Sequence, residues 1–140
     1  FVVNNVKFCC AEQYMMAMKA VYFDDKEYFM KIMKTENPAE HKAYGRLVRN
    51  FDLEKWNEVA RDIVYDGNYA KFTQNPELKE KLLATRGTLL VEASPYDKIW
   101  GIGIGMKDSA KEDPANWKGL NWLGEVLTKV RDTIIEEEGL

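Results

Sequence analysis

Three carboxylates, two cations and two tryptophans in this 140-residue chain stand where a plain scaffold does not require them. Glu12, Met16, Lys19 and Phe23 follow one another at spacings of four, three and four residues, so on a helix they share one face. A carboxylate and an amine aligned in this way suit a polar pocket, and equally suit a solvated helix face. Gly45-Arg46 has two readings as well. A glycine within a helix costs about 1 kcal/mol relative to alanine, so Gly45 either admits a neighbour while Arg46 meets an anion, or is only a packing glycine. Glu92 lies between apolar residues of a β-prone run, where an ionised carboxylate is expensive without a partner; Lys19 or Arg46 is the available cation. Asp97 follows the Ser94-Pro95 turn signal, and Trp100 precedes Gly101 and a glycine-alternating stretch. Carboxylates, an aromatic platform and open backbone are what a nucleoside site needs, since rings stack on a base and glycines admit a phosphate to backbone N–H groups. Asn121 opens the last helix, either as an N-cap beside a packing glycine, Gly124, or as a polar group of the same site. Trp56 lies on an apolar helix face, the place of an ordinary core residue.

Composition narrows the chemistry further. With 46% hydrophobic and 31% charged residues the chain is globular rather than disordered. A net charge of −3 argues against a duplex-DNA binder that relies on bulk electrostatics. Apolar runs such as Thr88-Leu89-Leu90-Val91 are too short to cross a membrane, so no membrane partner is expected. Cys9 and Cys10 are adjacent, and a vicinal disulfide is strained, so they read as a reduced pair. With no secretory leader ahead of the strand-like residues at Phe1, the expectation is a cytoplasmic protein. No C-x-x-C or H-x-x-x-H spacing occurs, and the one histidine, His41, is remote in sequence and reads as a surface residue, so no metal site is expected.

The elements that must position these residues follow from periodicity. Val2-Val3 and Val6-Lys7-Phe8 flank Asn4-Asn5, and asparagine tolerates the positive φ of a tight turn, which predicts a hairpin. Ala11, Met15, Met18 and Tyr22 predict a helix to about Phe23. Asp24 with Glu27 resembles a capping box for a second helix through about Lys34. Asn37-Pro38 opens a third, to about Arg49. A fourth begins after Asp52, with Trp56, Val59, Ala60, Ile63 and Val64 on one face and Gly67 as an expected interruption. Asn75-Pro76 opens a fifth, which Gly87 stops. Residues 88–93 are β-prone, residues 99–105 read as a strand or a loop in close backbone contact, and residues 106–118 read as a loop. Leu120, Leu123, Leu127, Val130 and Ile134 mark the last helix. The fold class is α+β, a helix-rich single domain over residues 1–140 with a small β-sheet.

Several of these segments together resemble the NADAR, or YbiA-like, family in order and spacing. They are Glu12-Gln13-Tyr14-Met15-Met16-Ala17-x-Lys19-Ala20, Gly45-Arg46, Phe51-Asp52-x-x-x-Trp56, Lys71-Phe72-x-Gln74-Asn75, Leu82-Leu83-x-Thr85, Val91-Glu92-Ala93-Ser94-Pro95-x-Asp97-x-x-Trp100-Gly101-x-Gly103 and Asn121-x-Leu123-Gly124. The likeness runs over residues 2–131. It implies an N-glycosidase acting on phosphorylated ribosylamino-pyrimidine intermediates of riboflavin synthesis, or one removing ADP-ribose from modified guanine. The partners it implies are a nucleotide-like small molecule or ADP-ribosylated nucleic acid, with no cofactor and no metal. The alternative is a non-catalytic NAD or ADP-ribose sensor. Family members usually carry a Phe-rich segment ahead of the position of Phe1, so a short N-terminal piece of the domain is expected to be missing. The implied reaction is hydrolysis at ribose C1′ through a transition state with oxocarbenium character. On that reading Glu12 stabilises the cation and activates water, Asp97 is the second acid/base group, and Glu92 orients a neighbour. Lys19 and Arg46 hold phosphate, Trp100 and Trp56 stack, and Gly101 and Asn121 complete the site. The Glu12 helix face and residues 92–103 are expected to share one pocket.

Overall fold

The computed structural model describes all 140 residues, which fall into two compact units, Phe1–Lys79 and Glu80–Leu140. In the first, β1 (Val2–Val3) and β2 (Val6–Lys7) pair antiparallel in the register Val2↔Lys7 and Val3↔Val6. Asn4 and Asn5 take φ values of 50° and 67°, the left-handed pair that a two-residue hairpin demands. Four helices follow: α1 (Ala11–Tyr22), α2 (Lys26–Met33), α3 (Pro38–Arg46) and α4 (Leu53–Gln74). α1 packs against the other three. Its inward residues Tyr14, Met16, Ala17 and Ala20 join Phe8, Ile32 and Val48 in one buried core. The fold class is the helix-rich α+β arrangement that periodicity predicts, with two short strands as its sheet.

Three expectations in this unit are corrected. The cap of α2 is Asp25 and not Asp24, which instead turns the chain at a φ of 56°. His41 is wholly buried and not on the surface. α4 runs unbroken through Gly67, because the glycine answers to a neighbour rather than to the helix: a Cβ there would overlap the ring of Tyr14. Gly67→Ala therefore opposes two effects, a gain of about 1 kcal/mol in helix propensity and an overpacking cost of about 1–3 kcal/mol. Tyr14 is buried among Phe1 and Phe8 and has little room to yield, so a net loss of about 1 kcal/mol is expected. Urea unfolding midpoints would measure it, and a gain in stability would show that the ring moves freely.

Asp25 ties this unit together. Its buried carboxylate accepts the Tyr28 N–H at the start of α2 (3.2 Å), the Arg49 backbone N–H (2.8 Å), and both Nε and Nη2 of the Arg49 guanidinium (3.1 and 2.8 Å). The guanidinium first, then the backbone donors, hold this carboxyl well below the usual carboxylate range against the opposing effect of desolvation. A carboxyl whose folded pKa lies below its unfolded value adds stability above the unfolded pKa, and the addition is lost as pH falls towards the folded value. Stability is thus expected to drop as pH falls below about 4, the ordinary range of an unfolded aspartate, and Asp25→Asn should flatten that acid limb. Midpoints measured across pH test this; an unchanged acid slope in the variant would remove Asp25 as its source.

In the second unit α6 (Trp122–Glu138) is the main element, and α5 (Pro76–Leu83) runs into this unit from the first. Residues 88–93 and 99–105 form no strands. One ladder-like bond survives, from the Ile102 N–H to the Glu92 carbonyl at 3.0 Å. The remaining backbone groups turn to α6 and its approach: the N–H groups of Lys118, Leu120, Asn121, Trp122 and Leu123 meet the carbonyls of Ile102, Lys98, Gly101, Ile99 and Trp100 at 2.8–3.1 Å. Residues 106–118 are a loop holding two 3-10 turns, Ser109–Glu112 and Pro114–Asn116. Arg131 is buried on α6, and its Nη1 donates to the Thr85 carbonyl (2.8 Å) just past α5, with the Thr85 and Thr88 hydroxyls at 3.2 and 3.4 Å. No helix is long and apolar enough to cross a membrane.

Candidate active site

The first unit gathers Glu12, Lys19, Arg46 and Trp56. Glu12 lies in the first turn of α1 and Lys19 in its last, both half-buried, while Arg46 ends α3. Lys19 is the centre of the group. Burial first, and the Arg46 charge second, push its pKa below the ordinary lysine value, and the Glu12 carboxylate pulls the other way. Both charges therefore act on Lys19. The Lys19 ammonium also stands 4.4 Å from the centre of the Phe51 ring and 5.9 Å from that of Trp56, within cation–π range.

Local sequence explains the placement. Asp52 caps α4 by accepting the Lys55 N–H at 3.2 Å. Phe51 just before the cap and Trp56 at the fourth helical position have the spacing of a hydrophobic staple. Both rings pack on Phe23, at 5.3 and 6.5 Å between centroids. Gly45 serves packing, since a Cβ there would overlap Met16 on α1. That close approach of α3 to α1 is also what brings Arg46 near Lys19.

Phe51 is the residue that reading the sequence missed as a site group. It is 41% exposed whereas Trp56 is 6% exposed, so Phe51 and not Trp56 offers a ring face to a ligand here. The signal was present: an aromatic one residue before a capping aspartate and five before a core tryptophan.

The second unit gathers Glu92, Asp97, Trp100, Gly101 and Asn121. Asp97 shapes a turn, its Oδ1 accepting the N–H groups of Ile99 (3.0 Å) and Trp100 (2.8 Å). Trp100 is half-buried and meets Trp122 edge to face at 5.5 Å. Gly101 is buried, and a Cβ there would come within 2.9 Å of the carbonyls of Glu92 and Asp97, so only glycine lets these segments meet. Asn121 is buried at a φ of 54°, and its amide does not cap α6. Instead its Oδ1 accepts the Glu92 N–H and its Nδ2 donates to the Leu90 carbonyl, both at 3.0 Å. It braces the segment that carries Glu92. A cleft of about 420 Å³ runs alongside the segment that carries Glu92, lined by Val91 and Ala93 on either side of it and by Leu89, Met106, Pro114 and Trp117.

The sequence matches the family description "NADAR domain" over residues 1–135. The chain belongs to the NADAR family. Among its relatives is "N-glycosidase R617" of Acanthamoeba polyphaga mimivirus, 46% identical over 90% of this chain and 74% of that one. "Protein irg-1" of Caenorhabditis elegans is 43% identical over 92% of this chain and 62% of its own length. The NMR structure of the E. coli protein YbiA matches with a TM-score of 0.77 and 29% identity, covering 97% of this chain and 73% of YbiA. The chain thus spans between about three fifths and three quarters of these NADAR relatives, and shares the YbiA fold.

Proposed function

We propose that this NADAR chain is an N-glycosidase that hydrolyses the ribosyl N-glycosidic bond of a phosphorylated, nucleotide-like substrate. Family membership and the viral relative's name support the reaction class. The observation that carries the substrate class is Lys19: a half-buried ammonium beside a second cation, a carboxylate and an exposed aromatic face. Lys19 and Arg46 bind the phosphate, Phe51 covers the ribose or base, and Glu12 faces the developing positive charge at C1′ and orients the attacking water. Within the second unit, Asp97 is the candidate acid/base group and Trp100 a stacking surface, and Glu92 and Gly101, braced by Asn121, belong to the backbone frame that carries them. Ribosylamino-pyrimidine phosphates and ADP-ribosylated guanine both offer the required bond and phosphate.

The test is incubation with ribosylamino-pyrimidine phosphates, ADP-ribosylated nucleic acid and NAD, followed by chromatography of the freed base. Release from a phosphorylated member and not from its dephosphorylated form is expected. Tight binding of ADP-ribose or NAD with no base released from any of them would replace hydrolysis by recognition.

A further inference from the structure

The buried histidine of α3 is engaged in something the glycosidase reading does not use. His41 is wholly inaccessible, yet it lies against the two adjacent cysteines that lead into α1. The Cys9 and Cys10 sulfurs are 3.6 Å apart, the Cys10 sulfur is 3.7 Å from His41 Nδ1, and all three atoms lie within 4.8 Å of one another. Both cysteines are free thiols. We propose that Cys9, Cys10 and His41 form a binding site for one thiophilic divalent metal ion, of which Zn2+ is the type.

Geometry and tautomer both support it. A tetrahedral Zn2+ with metal–sulfur bonds of ~2.3 Å and metal–nitrogen bonds of ~2.0 Å sets sulfur–sulfur edges of about 3.8 Å and sulfur–nitrogen edges of about 3.5 Å. The two separations that involve the Cys10 sulfur are close to these before any ion binds, and the Cys9 sulfur, within 4.8 Å of Nδ1, has to close on the imidazole by at most about 1.3 Å. His41 Nε2 lies 2.7 Å from the Thr35 carbonyl, which can only accept, so Nε2 carries the proton and neutral Nδ1 presents its lone pair to the sulfurs. A backbone carbonyl on the far nitrogen is the usual orienting partner of a metal-bound histidine.

The surrounding frame is fixed as well. Gln13 is buried; its Oε1 accepts the Cys9 N–H at 2.7 Å, and its Nε2 donates to the carbonyls of Ile32 and Thr35 at 3.2 Å each. The carbonyl that orients His41 is therefore locked to the backbone that carries the cysteines. Cys9 is exposed and Cys10 half-buried, which gives the ion an entry path and leaves a fourth position for water. Two thiolates and an imidazole favour Zn2+ over Mg2+ or Ca2+, which prefer oxygen donors. On binding, two S–H bonds give way to two metal–sulfur bonds and two protons leave to solvent, while Nδ1 donates its existing lone pair. The ion then joins the segment ahead of α1 to α3. This inference stands apart from the glycosidase reading and survives its failure.

The test is a Co2+ titration of the full chain under a phosphine reductant, following thiolate-to-metal charge-transfer absorption, with Zn2+ added to displace the cobalt. Absorption saturating at one equivalent and lost on Zn2+ addition is expected. By calorimetry, Cys9→Ser and Cys10→Ser should each weaken Zn2+ binding at least ~10-fold, and the double variant should abolish it. Serine is itself a good N-cap, so Cys10→Ser keeps the contact to the Gln13 N–H that Cys10 now makes at the start of α1, and circular dichroism checks that the fold stays. His41→Gln should weaken binding by a similar factor if it folds. No charge-transfer band with Co2+ in excess, or Zn2+ affinity unchanged in the double cysteine variant, would overturn the site.

Discussion

Glu12→Gln is expected to lower turnover at least ~100-fold, the scale of removing one well-placed electrostatic group from a charge-developing transition state, while substrate still binds. The amide keeps the size of the carboxylate and one of its two acceptor oxygens, and loses its charge. Lys19 reports the same change independently. The Glu12 carboxylate opposes the downward shift of the Lys19 pKa. Removing it should lower that pKa further, so the loss of phosphate binding at alkaline pH should begin at lower pH in the variant. Single-turnover rates, binding constants and a pH profile of binding separate the effects. Full activity in Glu12→Gln would remove it from the mechanism. Asp97→Asn is a fair companion, because an asparagine Oδ1 can still accept the Ile99 and Trp100 N–H groups that hold the turn.

What sequence made legible was whatever depended on neighbours in the chain. The paired asparagines set the hairpin, Asn37-Pro38 set the start of α3, and apolar periodicity set α1 and α6 to within a few residues. Two of the failures share one cause, a partner distant in sequence. Gly67 reads as a helix break until Tyr14 is seen against it. Residues 88–93 have the composition of a strand and residues 99–105 read as a strand or a loop, yet their backbone groups bond to Asn121 and the chain entering α6, so no ladder forms. His41, between Glu40 and Lys42, reads as a surface residue. Taken at helical spacing, however, it is followed by Tyr44, Gly45 and Val48, and Gly45 and Val48 are buried with it. That stripe was the available signal.

The site was legible in part for the same reason. Glu12 and Lys19 share α1 and could be paired from spacing alone, whereas Arg46 comes near Lys19 only because Gly45 lets α3 approach Met16. Phe51 went unnoticed because an aromatic ahead of a helix cap is an ordinary stapling residue, and only its exposure beside the Lys19 ammonium suggests a second use. The roles of Glu92 and Asp97 rest on motif likeness; what local geometry adds is that backbone bonds fix both segments.

Arg46→Ala separates anion recognition from packing. Arg46 is exposed and ends its helix, so truncation should leave the fold intact, and Gly45 keeps its contact with Met16. A charge-assisted hydrogen bond to phosphate contributes about 1.5–3 kcal/mol, so kcat/KM for a phosphorylated substrate should fall roughly 10- to 100-fold. The dephosphorylated counterpart should change by less than about 3-fold, a fraction of one such bond. A compensating effect sets the lower end of the range. The Arg46 charge depresses the Lys19 pKa, so its removal lets that pKa rise and leaves Lys19 more fully protonated at alkaline pH. The defect should therefore be smaller at alkaline than at neutral pH. Lys19→Met has no such relief, because it removes the half-buried charge and leaves its desolvated surroundings without a cation, so its loss on the phosphorylated substrate should be the greater of the two. Kinetics on matched phosphorylated and dephosphorylated substrates at two pH values measure all of this. Equal losses on both substrates for both variants would mean that the two cations hold the helix ends in place and that phosphate is bound elsewhere.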